Sequence, residues 1–197
     1  VSYAARLYAV DLGALSSRIG SGDADLALQL RRRYASLLAD YDLDFDDHLA
    51  AGAPSVADSL RRWLVEGIAT DEPHGWSAGY AFELLCDALG RPLRVSGLDR
   101  LRGTFLDEVD EALTKHNAPP EARFDRLLYR PPLPMPRPAD FPAIGHWPAH
   151  VTAAFREWYA DLDLDLVQDD DIATLIEALA DASAQVRSGE VLVSVYS

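Results

Sequence analysis

One cysteine in 197 residues, Cys86, excludes any intrachain disulfide. Its neighbours Leu84, Leu85, Ala88 and Leu89 predict a buried thiol acting as a small hydrophobe. No adjacent cation is present to activate it. Lysine is nearly missing: 17 of the 18 bases are arginine, a bias of high-GC bacterial coding. Basic charge as a whole is scarce, with 32 acids against 18 bases and a net charge of −14. That balance argues against a non-specific nucleic-acid surface. No apolar run approaches the roughly 18 residues of a membrane span, so no membrane insertion is expected. Val1 to Arg6 lack the cationic and apolar regions of a secretory signal. With a single cysteine, these absences predict a reducing, cytoplasmic setting.

Cofactor and metal motifs are missing too. Gly20-Ser21-Gly22 lacks the Gly and Lys that complete a phosphate loop. No Gly-x-Ser-x-Gly elbow occurs. Asp40, Asp42 and Asp44 alternate, as do Asp161, Asp163 and Asp165. A calcium loop needs Gly at its sixth position and Glu at its twelfth. Phe45 and Ala51 stand there in the first run, and Leu166 and Ile172 in the second. His146 and His150 have metal-like spacing, but Pro148 interrupts them and no third ligand is near in sequence. No metal and no cofactor is expected.

What remains is ordinary globular composition, 49% hydrophobic and 25% charged. The length predicts one domain over residues 1–197. Such a chain buries roughly 70% of its unfolded surface and needs no disulfide or metal to hold its core. Val1–Val10 and Glu190–Tyr196 read as strands. Asp23 caps a helix over Leu26, Leu30, Tyr34, Leu37 and Leu38. Ser55 opens a helix with Val56, Leu60, Trp63 and Leu64 on one stripe. A helix from Ser77 to about Leu89 buries Tyr80, Ala81, Leu84 and Leu85 before Gly90 and Pro92 end it. Further helices begin near Thr104, Pro148 and Ile172. Residues 40–47 read as an acidic connector, and 124–130 as a strand or a short helix.

Seven of the twelve prolines lie in 131–148, which excludes a helix interior or a central strand there. The expectation is an extended surface segment, pinned by Leu133, Met135, Phe141, Ile144 and Trp147. The predicted fold is therefore α+β, a mostly helical single domain with a small sheet formed by the N- and C-terminal strands.

Two features bear on function. Residues 139–197 hold 11 acids and 2 bases, so under a third of the chain carries a net of −9. Such a field either keeps the protein soluble or docks a basic partner. The second feature is His74, Trp76, Tyr80 and Glu83. Tyr80 and Glu83 share a helical face, with His74 and Trp76 in the loop before it. A Glu, a Tyr and a His at a helix mouth make either an acid/base site or a set of mutually satisfied caps. His146 and Trp147 are candidates for the other wall of a pocket.

Ser2-Tyr3, Tyr8-Ala9-Val10-Asp11 and Ile19-Gly20-Ser21-Gly22-Asp23 resemble an uncharacterised family of actinobacterial proteins. Gly79-Tyr80-Ala81-Phe82-Glu83-Leu84-Leu85-Cys86 and the stretch from Pro136 to Gly145 carry the same resemblance. More remotely, the order of elements is similar to that of YfbM-like proteins. The resemblance implies a single α+β domain of unknown function and brings no catalytic residue or cofactor. The expected function is a soluble acidic protein-binding module, with an immunity protein that neutralises a basic toxin as one case. The alternative is a small enzyme or small-molecule binder with a pocket near His74, Tyr80 and Glu83.

Overall fold

The computed structural model describes residues 4–70, 74–98, 103–139 and 141–197. Val1 to Tyr3 of the expected first strand, and Glu72 and Pro73 of an interhelical loop, lie outside the described residues. In chain order the elements are β1 (Ala5–Val10), α1 (Leu12–Arg18), α2 (Ala24–Arg33), α3 (Ala35–Asp44), α4 (Asp46–Ala50), α5 (Val56–Val65), α6 (Gly75–Leu89) and β2 (Arg91–Pro92). There follow α7 (Gly103–Lys115), α8 (Phe124–Tyr129), β3 (Ala143–Trp147), α9 (Ala149–Ala160), a 3-10 turn (Leu164–Leu166), α10 (Asp170–Gln185) and β4 (Val191–Tyr196). The fold is α+β and mostly helical, with both chain ends in one small sheet, as the sequence predicts. No helix among the described residues is long and apolar enough to cross a membrane.

The chain divides into two compact units. The first comprises Val1–Asp11, Arg91–Pro132 and Ala143–Ser197. Its sheet has the order β2-β1-β4-β3, with every neighbouring pair antiparallel. The terminal strands β1 and β4 therefore form its centre, in a register that runs from Ala5 opposite Tyr196 to Val10 opposite Val191. Amide–carbonyl bonds between Ala4 and Ser197 close the open end of the pair. Every β1 position except Arg6 is buried, which explains why the apolar pattern there does not alternate.

Residues 124–130, open between strand and helix on sequence alone, form α8. Its amides are capped from outside: Asp110 of α7 accepts from Phe124 N at 2.6 Å and from Asp125 N at 3.1 Å. Burial raises the Asp110 carboxyl above its ordinary range, against the pull of those two amides. The third strand of consequence, β3, comes from the end of the proline-rich segment. It is an edge strand, as proline nearby requires. Gly145 lets α8 lie directly on it, because a Cβ there would run into the backbone of Arg126 and Leu127.

The second unit comprises Leu12–Gly90 and Leu133–Pro142. Its centre is α6, whose residues from Gly75 to Cys86 are all buried. A helix that is apolar on every side must be covered on every side. The Leu133–Pro142 segment supplies one cover. A Cβ on Gly75 would lie 2.5 Å from Pro138 N, and one on Gly79 would lie 2.7 Å from Pro142 Cγ. Two glycines one turn apart thus make a groove that the prolines fill. The proline-rich segment is not a single surface strap: Arg137, Pro138 and Pro142 seat against α6, while 143–147 is a strand. The predicted connector 40–47 is also corrected. It is helical in α3 and α4, with Phe45 at their junction, and Tyr41, Phe45 and His48 recur at helical spacing among the aspartates. Asp23 and Ser55 cap α2 and α5 as expected, accepting from Leu26 N and Asp58 N.

Replacing Gly145 by Ala forces α8 off the sheet. Thermal or urea unfolding is expected to show a loss of about 3 kcal/mol, the upper end for overpacking.

Candidate functional site

The residues singled out by sequence on α6 are held inside the second unit. His74 sits at the N-cap position, half-buried, and its side chain makes no capping bond. Trp76 lies within the first turn of the helix and not in the loop before it; it is 8% exposed, Tyr80 is 8% and Glu83 is 2%. The spacing of Trp76, Tyr80 and Glu83 places them along one helical face. Glu83 is the one buried acid among the described residues.

Three side chains from α3, α4 and the residue between them complete the surroundings. Tyr41 packs on Tyr80 with ring centroids 4.4 Å apart, and Phe45 stacks on Trp76 at 4.3 Å. His48 lies 5.8 Å from Trp76 and 6.0 Å from Phe45. These are ordinary separations for attractive aromatic pairs. The sequence held the signal, since Tyr41, Phe45 and His48 follow i, i+4, i+7 spacing, but reading 40–47 as a connector concealed it. The Trp76 indole N–H is buried without an acceptor among the described residues.

A second polar group, not anticipated from sequence, ties the α2–α3 junction to the last turns of α6. Tyr34 donates to Asp87 Oδ2 at 2.5 Å, and Arg33 reaches the same oxygen at 3.2 Å. Burial, and then the Asp87 carboxylate, push the Tyr34 hydroxyl well above its usual pKa. Cys86 is buried and its thiol is pushed up by desolvation, so the expected inert cysteine is found.

His146 and Trp147 belong to β3, in the first unit. Trp147 is 0% exposed and donates to the Arg123 carbonyl at 2.9 Å. His146 Nδ1 donates to the Arg130 carbonyl at 2.7 Å in its neutral form. Burial pushes its pKa below the usual 6.5, against the pull of that bond. His150, the other half of the metal-like pair, bonds through Nε2 to Glu121 Oε2 at 2.9 Å, which lowers the Glu121 pKa. Cavities of about 410 Å³ and 200 Å³ open beside α9 and at the end of α5, and none of the six predicted residues lines either one.

Two outcomes follow from this packing. Trp76→Ala is expected to cost about 3–4 kcal/mol of stability as a core truncation, while His74→Ala stays within about 0.5 kcal/mol; urea titrations of both variants check the contrast. For His146 the folded state disfavours the proton and the unfolded state accepts it near pH 6.5. Stability should therefore fall as pH drops below about 6.5, and His146→Gln should flatten that part of the unfolding free-energy profile.

The whole chain, residues 1–197, matches the family model described as Domain of unknown function (DUF7691), and the protein belongs to that family. No curated protein and no solved structure matches it.

Proposed function

From membership of a family whose description assigns no activity, we propose that this protein is an acidic binding module that docks a basic protein partner. The observation that carries the reading lies at 161–171. Asp161, Asp163, Asp165, Asp169, Asp170 and Asp171 are all exposed, and none forms an ion pair among the described residues. Asp163 and Asp169 accept backbone amides and so have fixed orientations. Leu166 stands among them 61% exposed, an apolar contact inside a charged rim. Unneutralised charge of one sign speeds encounter with a basic partner and selects against acidic ones. Neutralisation of a basic toxin is one biological use of such a face.

The reading extends to setting and ancestry. The arginine bias supports a bacterial source, the single buried cysteine supports the cytoplasm, and the net charge disfavours nucleic acid. The quoted motifs support an actinobacterial line, and the terminal strands support remote kinship with YfbM-like proteins. A second reading, a small enzyme or ligand binder at His74, Tyr80 and Glu83, has one observation in its favour: a carboxyl held at 2% exposure beside Tyr80 on α6.

The test begins with partners captured from the native host at low salt. A basic protein is expected to bind and to elute as salt rises above about 0.1 M, where exposed charges are screened. The double reversal Asp161→Lys, Asp165→Lys should weaken its binding by about tenfold or more. The same reversal at Asp42 and Asp44 on α3 should leave it within a factor of about two. Equal loss in both variants would mean that net charge alone, and not this surface, governs capture.

A further inference from the structure

The 410 Å³ cavity in the first unit draws together the few bases of an acidic stretch of sequence. It is lined by His150, Thr152, Arg156, Arg187, Ser188 and Gly189, among others. Arg156 and Arg187 are the only two bases between residues 139 and 197, where 11 acids reside. A scattered distribution would put such bases beside acids. Instead both arginines line one cavity, and neither side chain forms an ion pair among the described residues.

The backbone beneath them is braced. The amide of Arg187 donates to Glu190 Oε2 at 2.8 Å, and that oxygen also takes the Arg91 guanidinium at 3.0 Å. Arg91 reaches on to the Gln185 carbonyl at 2.7 Å. Gly189 turns the chain with φ +86°, a conformation that side-chained residues rarely adopt. Arg187 thus projects from a pinned turn, with the Glu190 carboxylate already committed to Arg91. Arg156, exposed like Arg187, lies about two turns along α9 from Ala149. Pro148 offers no capping side chain to the first amides of that helix. The Thr152 hydroxyl is already used, donating to Pro148 O at 3.1 Å. Ser188 adds an exposed hydroxyl.

We propose that this cavity is a binding site for the phosphate group of a small molecule, held between Arg156 and Arg187. The volume falls in the range of small-ligand sites. Two guanidinium forks match a multiply charged oxyanion, which accepts several N–H bonds at once. Two carboxylates border the site: Glu190, held by Arg91 and the Arg187 amide, and Glu121, bonded to His150 Nε2. The lining shares no residue with the acidic stretch 161–171, so either proposal can fail alone.

Inorganic phosphate is the first probe, followed by the ester glycerol phosphate, with acetate as the singly charged control. Amide NMR of the full chain is the readout. Phosphate is expected to shift residues 149–150 and 187–189 with a dissociation constant of about 1 mM, and acetate to leave them in place. Tighter binding of the ester than of the free ion would point to an organic phosphate as ligand, and equal binding to the free ion. Arg156→Gln and Arg187→Gln should each weaken binding about tenfold. Glu121→Gln should tighten it roughly threefold by removing one of the two carboxylates, a gain that an unfolded variant cannot give. Absence of shifts at about 10 mM phosphate, or shifts that survive both arginine variants, would overturn the proposal.

Discussion

A buried helix sets the terms for the second unit. From Gly75 to Cys86, α6 has no residue open to solvent, so every side of it requires an apolar neighbour. The small residues Gly75, Ser77, Ala78, Gly79 and Ala81 allow close approach, and the prolines of 133–142 use it at the two glycines. The large residues Trp76, Tyr80 and Phe82 fill wider gaps, against α3 and α4 for the first two and against Trp63 of α5 for Phe82. Fully burying a side chain of this size stabilises by roughly 1.5–3 kcal/mol.

The polar groups of α6 inherit their character from that packing. Glu83 lies at the core because its face of the helix does, and it interacts with its surroundings there. Tyr80 and Trp76 are walls of an aromatic set before they are anything else. Charge has gone elsewhere. In the second unit the aspartates of α3 and α4 stay exposed while Tyr41, one turn from Phe45, turns inward. In the first unit acids gather at 161–171, and the two bases of residues 139–197 line a cavity.

Much of the architecture was legible in the residues. Strong apolar runs at both chain ends pointed to the pairing of β1 with β4, which the sheet contains. Asp23 and Ser55 announced their helices because capping is a local matter. What could not be read depends on distant partners. The groove of Gly75 and Gly79 has meaning only once Pro138 and Pro142 are placed on it. The capping of α8 by Asp110 joins residues fourteen apart through side-chain geometry. The helical 40–47 stretch was hidden by its aspartates, whose frequency suggests a loop while their spacing leaves Tyr41, Phe45 and His48 on one side. For the candidate site, sequence found Trp76, Tyr80 and Glu83 as a set but could not supply the rings that pack on Trp76 and Tyr80. The cavity between Arg156 and Arg187 brings together positions thirty-one apart, and no local pattern marks it.

Native-state hydrogen exchange tests the role given to α6 most directly. Amides buried at the centre of a cooperative unit open only with global unfolding. The account predicts that amides from Ala78 to Cys86 exchange last in the second unit, at rates set by its global stability. Those of α3 and α4, exposed along one side, should exchange sooner through local opening. Exchange of α6 as fast as that of α3 would contradict the account, because a helix that opens alone cannot be the element on which its neighbours are built.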